Sequence, residues 1–272
     1  MEMIVYTAIF GDYDVLRPPF PGSDCRHVCF TDGDYQCDGW EVIRVKREFS
    51  TPRLDARRCK LIGPWEMFGG KANTLWIDGS IKISTPISNL AAEFLLGDKE
   101  AALFPSRFRT CLHDEAQECI DLKKDNNEII RDQVARYEHE GMPRNFGVGE
   151  TMVLFRRPSK QCEEFCRMWW KELRSGSWRD QLSFDYCRWK TNLPVAWLNG
   201  NISNNPFFTL YPTHPNPRKT KMVKIKVVVM NHNTPDTSTE LYRKLCTVFD
   251  VVVFDSGSDK DKRPKCPYES YE

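Results

Sequence analysis

The clearest chemical candidate in the sequence is an aspartate that directly follows a short hydrophobic run. The segment Trp76-Ile77-Asp78-Gly79-Ser80 predicts a strand that ends at Asp78, at the carboxyl edge of a sheet. Ligands of open α/β sheets bind at that edge, and a carboxylate there can hold Mg²⁺ or Mn²⁺ against a diphosphate. The alternative is a plain turn, because Asp-Gly is a common turn pair.

A second candidate is a basic helix that begins near Pro52. Arg53, Arg57 and Lys60 are spaced i, i+4 and i+7, so they share one face of this helix. Arginine can bind phosphate through two parallel hydrogen bonds, and such a face could therefore clamp a diphosphate. The alternative is a charged helix face that only meets water.

The third candidate is the pair Asp180-Gln181 at the start of a predicted helix. A carboxylate in this position can deprotonate an attacking hydroxyl group as a general base. A structural interpretation competes with it, because Ser177 to Asp180 form a variant of a capping box and an acidic group stabilises a helix N-terminus. Both interpretations can hold at once.

A fourth candidate is His214, which lies in the segment Tyr211-Pro212-Thr213-His214-Pro215. A neutral imidazole could complete a metal site, although a histidine in such a segment can equally be solvated. The sequence contains no Gly-rich phosphate loop, no serine nucleophile elbow and no His-Glu-x-x-His motif. These absences disfavour kinases, Walker-type ATPases, α/β-hydrolases and zinc peptidases.

The elements that must position these groups alternate between strands and helices. Short hydrophobic runs bounded by turn residues predict strands at 3–10, 27–30, 41–45, 73–83 with a break at 78–80, 101–104 and 149–155. Helical segments are predicted at 52–64 with a stop at Gly63-Pro64, at 113–140, at 159–173 and from about 177. The pattern predicts an α/β fold, with a sheet covered by helices.

The C-terminal residues predict a separate unit. Residues 204–220 are rich in Asn, Pro and Thr, which is typical of a linker. The pattern from 221 to 258 then predicts a strand, a helix and a strand, the opening of a βαβ unit. One such unit cannot bury its own faces, so it either packs on the first domain or begins an incomplete second one. We favour the second interpretation, with domains at 1–215 and 216–272.

Composition excludes several classes of partner. The chain has 39 basic and 38 acidic side chains, a formal net charge of +1, so no global field favours nucleic acid or an anionic membrane. No run of 18 apolar residues predicts a membrane span, and the first ten residues lack the basic lead of a signal peptide. With 11 cysteines and no secretory signal, we expect reduced thiols and a cytoplasmic location.

A resemblance to a known family rests on a series of short motifs in the first domain. The motifs are Thr7 to Asp14, Phe30-Thr31-Asp32, Pro52-Arg53 with Ala56-Arg57 and Lys60, Trp76 to Ser80, His113 with Glu115-Ala116, Tyr137 with Glu140 to Pro143, and Arg179 to Phe184. In this order they resemble the GT-A-type family that includes plant mucilage-related glycosyltransferases. The chain looks closest to the capsid-glycan glycosyltransferases of large algal (chlorella) viruses, which would act in the host cytoplasm.

The resemblance implies a GT-A-like fold, in which a Rossmann-type mixed sheet is flanked by helices. The strand, helix and strand over 227–258 also look like the beginning of a second, incomplete GT-A-like domain. The resemblance also implies a nucleotide-sugar donor, most often a UDP-sugar. The nucleobase and ribose would lie against the end of the first strand, at Thr7, Ala8 and Phe10. The ribose or diphosphate would lie against the basic helix, at Arg53, Arg57 and Lys60.

The family's metal motif, Asp-x-Asp, falls on Asp78-Gly79-Ser80, and this chain departs from the motif at Ser80. A hydroxyl is a weaker ligand for a divalent cation than a carboxylate. Asp78 would then be the main anchor for Mn²⁺ or Mg²⁺, with Ser80, His214 or water completing the site and Gly79 next to the nucleotide. Asp180, with Gln181 beside it, would face a glycan or glycoprotein acceptor.

The sequence therefore predicts a metal-assisted transfer of a hexose or deoxyhexose from a nucleoside-diphosphate sugar to a glycan, with inversion expected and retention left open. Three alternatives remain: a sugar nucleotidyltransferase, a non-catalytic carbohydrate-binding module, and an inactive scaffold, to which Ser80 lends support. The first usually needs a Gly-rich N-terminal loop with a basic residue, and Ala8-Ile9-Phe10-Gly11 is not one.

Overall fold

The protein is described by a computed structural model that covers residues 3–88, 90–91, 94, 97–211, 226–245, 250–263, 265 and 268–270. The chain divides into two compact units, Met1–Pro217 and Arg218–Glu272. His214, one of the predicted metal ligands, lies outside the described residues. Within the described ranges, no helix has the length and apolar character needed to cross a membrane.

The first unit is a mixed α/β structure, as the alternation of elements predicts. Its described strands are β1 (Met3–Ile9), β2 (Arg26–Thr31), β3 (Glu41–Arg44), β4 (Asn73–Ile77), β5 (Ile81–Ile83), β6 (Ala101–Pro105), β7 (Gly149–Arg156), β8 (Val195–Trp197) and β9 (Phe208–Leu210). Its described helices are α1 (Pro52–Glu66), α2 (Leu112–Asp121), α3 (Asn127–His139), α4 (Lys160–Ser175) and α5 (Asp180–Thr191).

Seven of these strands form one sheet in the order β3-β2-β1-β4-β7-β6-β8. The first four strands in this order are parallel, and β1 lies between β2 and β4, so that Ile4 pairs with both Arg26 and Thr74. The chain runs outward from β1 to β3 and then returns to β4 on the other side of β1. That reversal creates a crevice at the carboxyl ends of β1 and β4, where α/β sheets bind ligands.

The rest of the sheet is mixed in direction. Strand β7 runs antiparallel to β4 and β6, while β8 runs parallel to β6. The carboxyl ends of β1, β4, β6 and β8 therefore share one edge of the sheet with the amino end of β7. Asp78, just beyond β4, donates its backbone N–H to the Met152 carbonyl of β7 at 2.9 Å. This bond fixes the end of β4 against the start of β7.

Both faces of the sheet are covered, as the nearly continuous apolar sequence of β1 requires. One face packs against α1 to α5, through buried residues that include Leu61, Cys119, Trp169 and Phe184. The other face packs against β5, β9 and residues that include Ile87 and Phe94. The sheet is thus buried on both sides.

Helix α1 continues past its predicted stop at Gly63-Pro64 and ends at Glu66, so this prediction is wrong. A proline inside a helix removes the N–H that would bond the carbonyl four residues earlier. Here that carbonyl belongs to Lys60, and the Tyr6 hydroxyl of β1 donates to it at 2.5 Å. The helix tolerates Pro64 because the neighbouring strand supplies the missing hydrogen bond.

Two further sequence predictions are corrected by the structure. The segment predicted as one long helix over 113–140 is two helices, because Lys123 adopts a left-handed φ of 49° and Asn126 caps a new helix by accepting from the backbone N–H of Glu128. The predicted linker contains β9, which pairs with β5. Such long-range pairing leaves no local signal in a stretch rich in Asn and Pro.

The second unit contains β10 (Lys226–Asn231), α6 (Pro235–Leu245), β11 (Asp250–Asp255), a short 3₁₀ helix (Lys260–Lys262) and β12 (Tyr268–Ser270). Its strands form a parallel sheet in the order β10-β11-β12. At the carboxyl edge, the buried Asn231 amide donates to Asp255 at 2.7 Å and to Ser258 at 2.9 Å. The predicted relation of this unit to glycosyltransferases stays a prediction.

We expect Tyr6→Phe to destabilise the first unit by about 1–3 kcal/mol, because it leaves the buried Lys60 carbonyl without its donor and the buried Arg156 without the hydroxyl that accepts from it. Pro64→Ala restores a backbone N–H at the matching position. It should therefore be more favourable in the Tyr6→Phe background than in the unmodified chain. Urea unfolding followed by tryptophan fluorescence measures this, since all eight tryptophans precede residue 198. Strictly additive effects of the two substitutions would contradict the explanation.

Candidate active site

A cavity of about 590 Å³ opens at the crevice between β1 and β4. Its wall is formed by residues between 8 and 14 at and beyond the end of β1, between 51 and 57 at the start of α1, and by Trp76 and 78–80 at and beyond the end of β4. Residues 151–152 of β7, 178–181 at the start of α5 and 210–211 at the end of β9 complete it. The cavity thus lies where the sheet topology places a ligand site, and it contains most of the predicted site residues.

A buried carboxylate with two cationic partners lies at the centre of this wall. The Asp180 side chain is 3% exposed, and its Oδ2 lies 2.6 Å from Lys60 Nζ. The same oxygen accepts the Thr151 hydroxyl at 2.9 Å, and Oδ1 lies 3.1 Å from Arg57 Nη2. Both carboxylate oxygens are therefore engaged, and the group joins α1, β7 and α5.

The two cations keep this carboxylate ionised. Burial alone would raise the pKa of Asp180, but the Arg57 guanidinium and the Lys60 ammonium hold it well below its usual range. Burial likewise opposes the charge of Arg57, yet Asp180 and Asp78 raise the pKa of that guanidinium above its ordinary value. At neutral pH the cavity wall therefore holds a charged Arg57 guanidinium between two carboxylates, Asp78 and Asp180.

The predicted basic face is divided among three environments. Arg57, 19% exposed, lines the cavity, whereas Lys60 is fully buried behind it. Lys60 donates to the Thr151 carbonyl at 2.6 Å, and its ammonium lies 5.4 and 5.6 Å from the ring centres of Trp76 and Trp169. Arg53 lies at the wall, where it stacks on Tyr13 at 5.3 Å.

Asp78 lies in the cavity wall as predicted, and it also begins a turn, since Ile81 donates to its carbonyl at 2.8 Å. Its Oδ1 accepts from Trp76 Nε1 at 2.7 Å and lies 3.5 Å from Arg57. Gly79 is needed here, because a Cβ at this position would lie 2.9 Å from Cβ of Asp14. The turn interpretation of this segment is confirmed, and the ligand-site interpretation stays a prediction.

The side chains that line the cavity decide whether the predicted metal site can hold a cation. No three His, Cys, Asp or Glu side chains of the described part of the chain are grouped as metal ligands. Asp78 is 21% exposed and Ser80 is buried, and both line the cavity. One carboxylate together with substrate phosphate oxygens is a set that Mg²⁺ commonly accepts. The site therefore fits a cation that arrives with a diphosphate.

The predicted nucleoside contacts lie at the end of β1. Ala8 and Phe10 line the cavity, and Thr7 is buried without being part of the wall. Gly11 follows them with a φ of 65°, and its N–H donates to Asp32 Oδ1 at 2.8 Å. This turn lies next to Pro52. The part of the cavity beside the turn is lined by the apolar residues Ala8 and Phe10.

Sequence reasoning missed two tyrosines of the wall. Tyr13 and Tyr211 are 45% and 38% exposed and both line the cavity. The Arg17 guanidinium stacks on Tyr211 at 4.3 Å, and the Tyr211 N–H donates to the Ser80 carbonyl at 2.8 Å. Tyr13 could have been found from its place directly after a strand end. Tyr211 lies in a segment that the composition assigns to a linker, so no local signal identifies it.

Comparison with known proteins finds similarity to glycosyltransferases. The model of the TOD1/MUCI70 glycosyltransferase-like domain matches residues 26–205, about two thirds of the chain. The probable hexosyltransferase MUCI70 of Arabidopsis thaliana is 25% identical over 228 residues, which are 72% of this chain and 38% of that protein. The chain thus spans well under half the length of this relative.

Among solved structures, mouse xyloside xylosyltransferase 1 in its apo form aligns with a TM-score of 0.36 and 10% sequence identity. The alignment covers 72% of this chain and 84% of that chain.

We expect Lys60→Met to destabilise the first unit by about 3–5 kcal/mol, because it leaves Asp180 buried with one cation fewer. The double variant Lys60→Met with Asp180→Asn should recover most of this loss, since no uncompensated buried charge remains. Denaturant unfolding followed by tryptophan fluorescence gives the coupling free energy. If the losses in stability of the two single variants simply add in the double variant, Lys60 and Asp180 do not form one interacting unit.

Proposed function

This chain belongs to the TOD1/MUCI70 glycosyltransferase-like domain family, and we propose that it transfers a hexose or deoxyhexose from a nucleoside-diphosphate sugar to a glycan. A UDP-sugar is the donor that we expect. The proposal depends chiefly on one observation: the Arg57 guanidinium faces a cavity at the carboxyl edge of the sheet while two carboxylates hold it. A fixed cation there suits the diphosphate of such a donor.

The order of groups along the cavity supports a particular placement of the donor. The apolar end at Ala8 and Phe10 suits the nucleoside, and Arg57 with Asp78 would meet the diphosphate. The transferred sugar would then lie toward β7 and the start of α5, near Gln181. A cavity of about 590 Å³ is within the range of small-ligand pockets. The acceptor would enter from the same end as the sugar.

Departure of the nucleoside diphosphate is the step that most needs positive charge. Negative charge develops on the leaving oxygen as the glycosidic bond breaks, and a cation held in place beforehand stabilises it without reorganising. Arg57 is such a cation, because Asp180 and Asp78 fix its guanidinium. Bound by Asp78 and the donor phosphates, Mg²⁺ or Mn²⁺ would add further charge to the same oxygen atoms.

The catalytic role expected for Asp180 stays a prediction, and its surroundings favour an electrostatic form of that role. Its Oδ2 accepts from Lys60 and Thr151, its Oδ1 is paired with the Arg57 guanidinium, and a pKa held below the usual range makes a carboxylate a weak proton acceptor. We propose that Asp180 mainly holds Arg57 and Lys60 in place. Inversion stays the stereochemical outcome to test first, and a capsid glycan is the first acceptor to try.

We expect Arg57→Ala to weaken UDP binding roughly 10- to 100-fold, the loss expected for a charge-assisted hydrogen bond. Arg58→Ala is the matched control, since Arg58 lies on the same helix but pairs with Glu48 and Glu66 outside the cavity. Isothermal titration calorimetry with UDP measures both. Equal affinities for the two variants would reject the placement of the diphosphate, and glycan binding without any nucleotide binding would favour a carbohydrate-binding module.

We expect Mn²⁺ to increase the thermal stabilisation by UDP, because a ligand that binds only the folded state raises its melting temperature. Asp78→Asn keeps the acceptor for Trp76 but removes the charge, so the Mn²⁺-dependent part of the shift should disappear. Ser80→Ala should reduce it less. Thermal shift with UDP, GDP and TDP, each with and without Mn²⁺, provides the measurement. A full Mn²⁺ effect in Asp78→Asn would contradict the assignment of this ligand.

A further inference from the structure

The sugar end of the cavity is bounded by Gln181, whose side-chain amide is held from two sides. Its Nε2 donates to Glu150 Oε2 at 3.0 Å, and its Oε1 accepts from Arg179 Nη2 at 3.3 Å. A primary amide has two N–H donors and two acceptor lone pairs. These two contacts therefore leave one donor and one acceptor position of Gln181, a residue of the cavity wall.

The two neighbours select the same orientation of this amide. An ionised carboxylate only accepts hydrogen bonds and a guanidinium only donates them. If the amide were reversed, its oxygen would face the Glu150 carboxylate and its NH₂ group would face Arg179. Both contacts would then be repulsive, so the observed orientation is enforced twice.

Glu150 lies in a charged cluster next to the cavity. It is the second residue of β7, and the neighbouring groups are Glu115 from α2, Arg109 from the segment after β6, and the start of α5. Glu115 is fully buried and its Oε2 lies 2.5 Å from Arg109 Nε. Burial, and then the charge of Glu115, raise the pKa of Glu150 above its usual value.

We infer that Glu150 is a positioning residue that fixes the Gln181 amide, so that one N–H of Gln181 points to the transferred sugar or to the attacking hydroxyl. The inference rests on the proposed transferase function. Sequence reasoning did not single out Glu150, because its role depends on contact with a residue 31 positions away. Gln181, by contrast, was predicted as part of the site.

A dependence on pH follows from the chemistry of this pair. Once protonated, Glu150 can donate to the oxygen of a reversed amide, and the orientation is no longer enforced from this side. Because the pKa of Glu150 is raised, this change occurs at a higher pH than for an ordinary glutamate. The rate of transfer should therefore decrease as the pH is lowered through the raised pKa of Glu150. The charged groups around this pair determine the pH at which the rate decreases; they are Glu115, Arg109 and Arg179.

The test is Glu150→Gln in the full chain, which keeps the shape but removes the charge. We expect the transfer rate to fall between roughly 10- and 100-fold through misplacement of Gln181, with the acid limb of the profile lost. UDP affinity should not change, since the proposed placement of the donor puts only the transferred sugar near Gln181. In a Gln181→Met background, Glu150→Gln should cause no further loss. Glu118→Gln is the control, because it alters the charge beside Arg109 without touching Gln181.

A second measurement does not need activity. The side-chain NH₂ signals of Gln181, assigned in ¹⁵N NMR spectra by their loss in Gln181→Met, should shift with pH in the unmodified chain and stop doing so in Glu150→Gln. An unchanged acid limb, or Gln181 signals that ignore Glu150, would overturn the inference. If the chain binds UDP but neither transfers nor hydrolyses any sugar nucleotide, the proposed function fails, while the NMR result still decides the role of Glu150.

Discussion

The structure depends on one buried cluster of three charges, in which Asp180 accepts a hydrogen bond from Lys60 and forms an ion pair with Arg57. Placing charges away from water is costly, and the cost is met only when each charge has close partners in good geometry. Here Lys60 has the Thr151 carbonyl and two tryptophan faces, while Asp180 has the Thr151 hydroxyl. Helix α1, strand β7 and helix α5 must therefore keep one fixed arrangement. Arg57 is therefore also held in one position at the cavity wall.

Structural features that depend on residues close together in the sequence could be predicted. Features that depend on contacts between residues far apart in the sequence could not. The buried run of β1, the turn at Asp78 and the shared helix face of Arg53, Arg57 and Lys60 all follow from local patterns. Local patterns do not predict that Arg57 lines the cavity while Lys60 is buried, because helical spacing cannot say which cation faces solvent. That choice is made by Trp169, over a hundred residues away, whose ring covers Lys60.

The same limit applies to the cavity walls. Tyr211 reaches the site only because β9 pairs with β5, and Glu150 matters only because the start of α5 returns to the start of β7. Neither contact has a local motif. The α/β class itself was predictable, because it requires only the alternation of apolar runs and amphipathic segments. The strand order that creates the crevice could not be predicted in this way, because it depends on which strands pair across long stretches of sequence.

The bond between the Tyr6 hydroxyl and the Lys60 carbonyl has a consequence for how this site can evolve. Lys60 is attached at both ends, by its carbonyl to β1 and by its ammonium to α5. Helix α1 can therefore neither rotate nor slide without breaking one of these attachments. New donor preferences would have to arise at the rim, where Tyr13, Arg53 and Tyr211 are exposed, while the interior stays the same across descendants with different substrates.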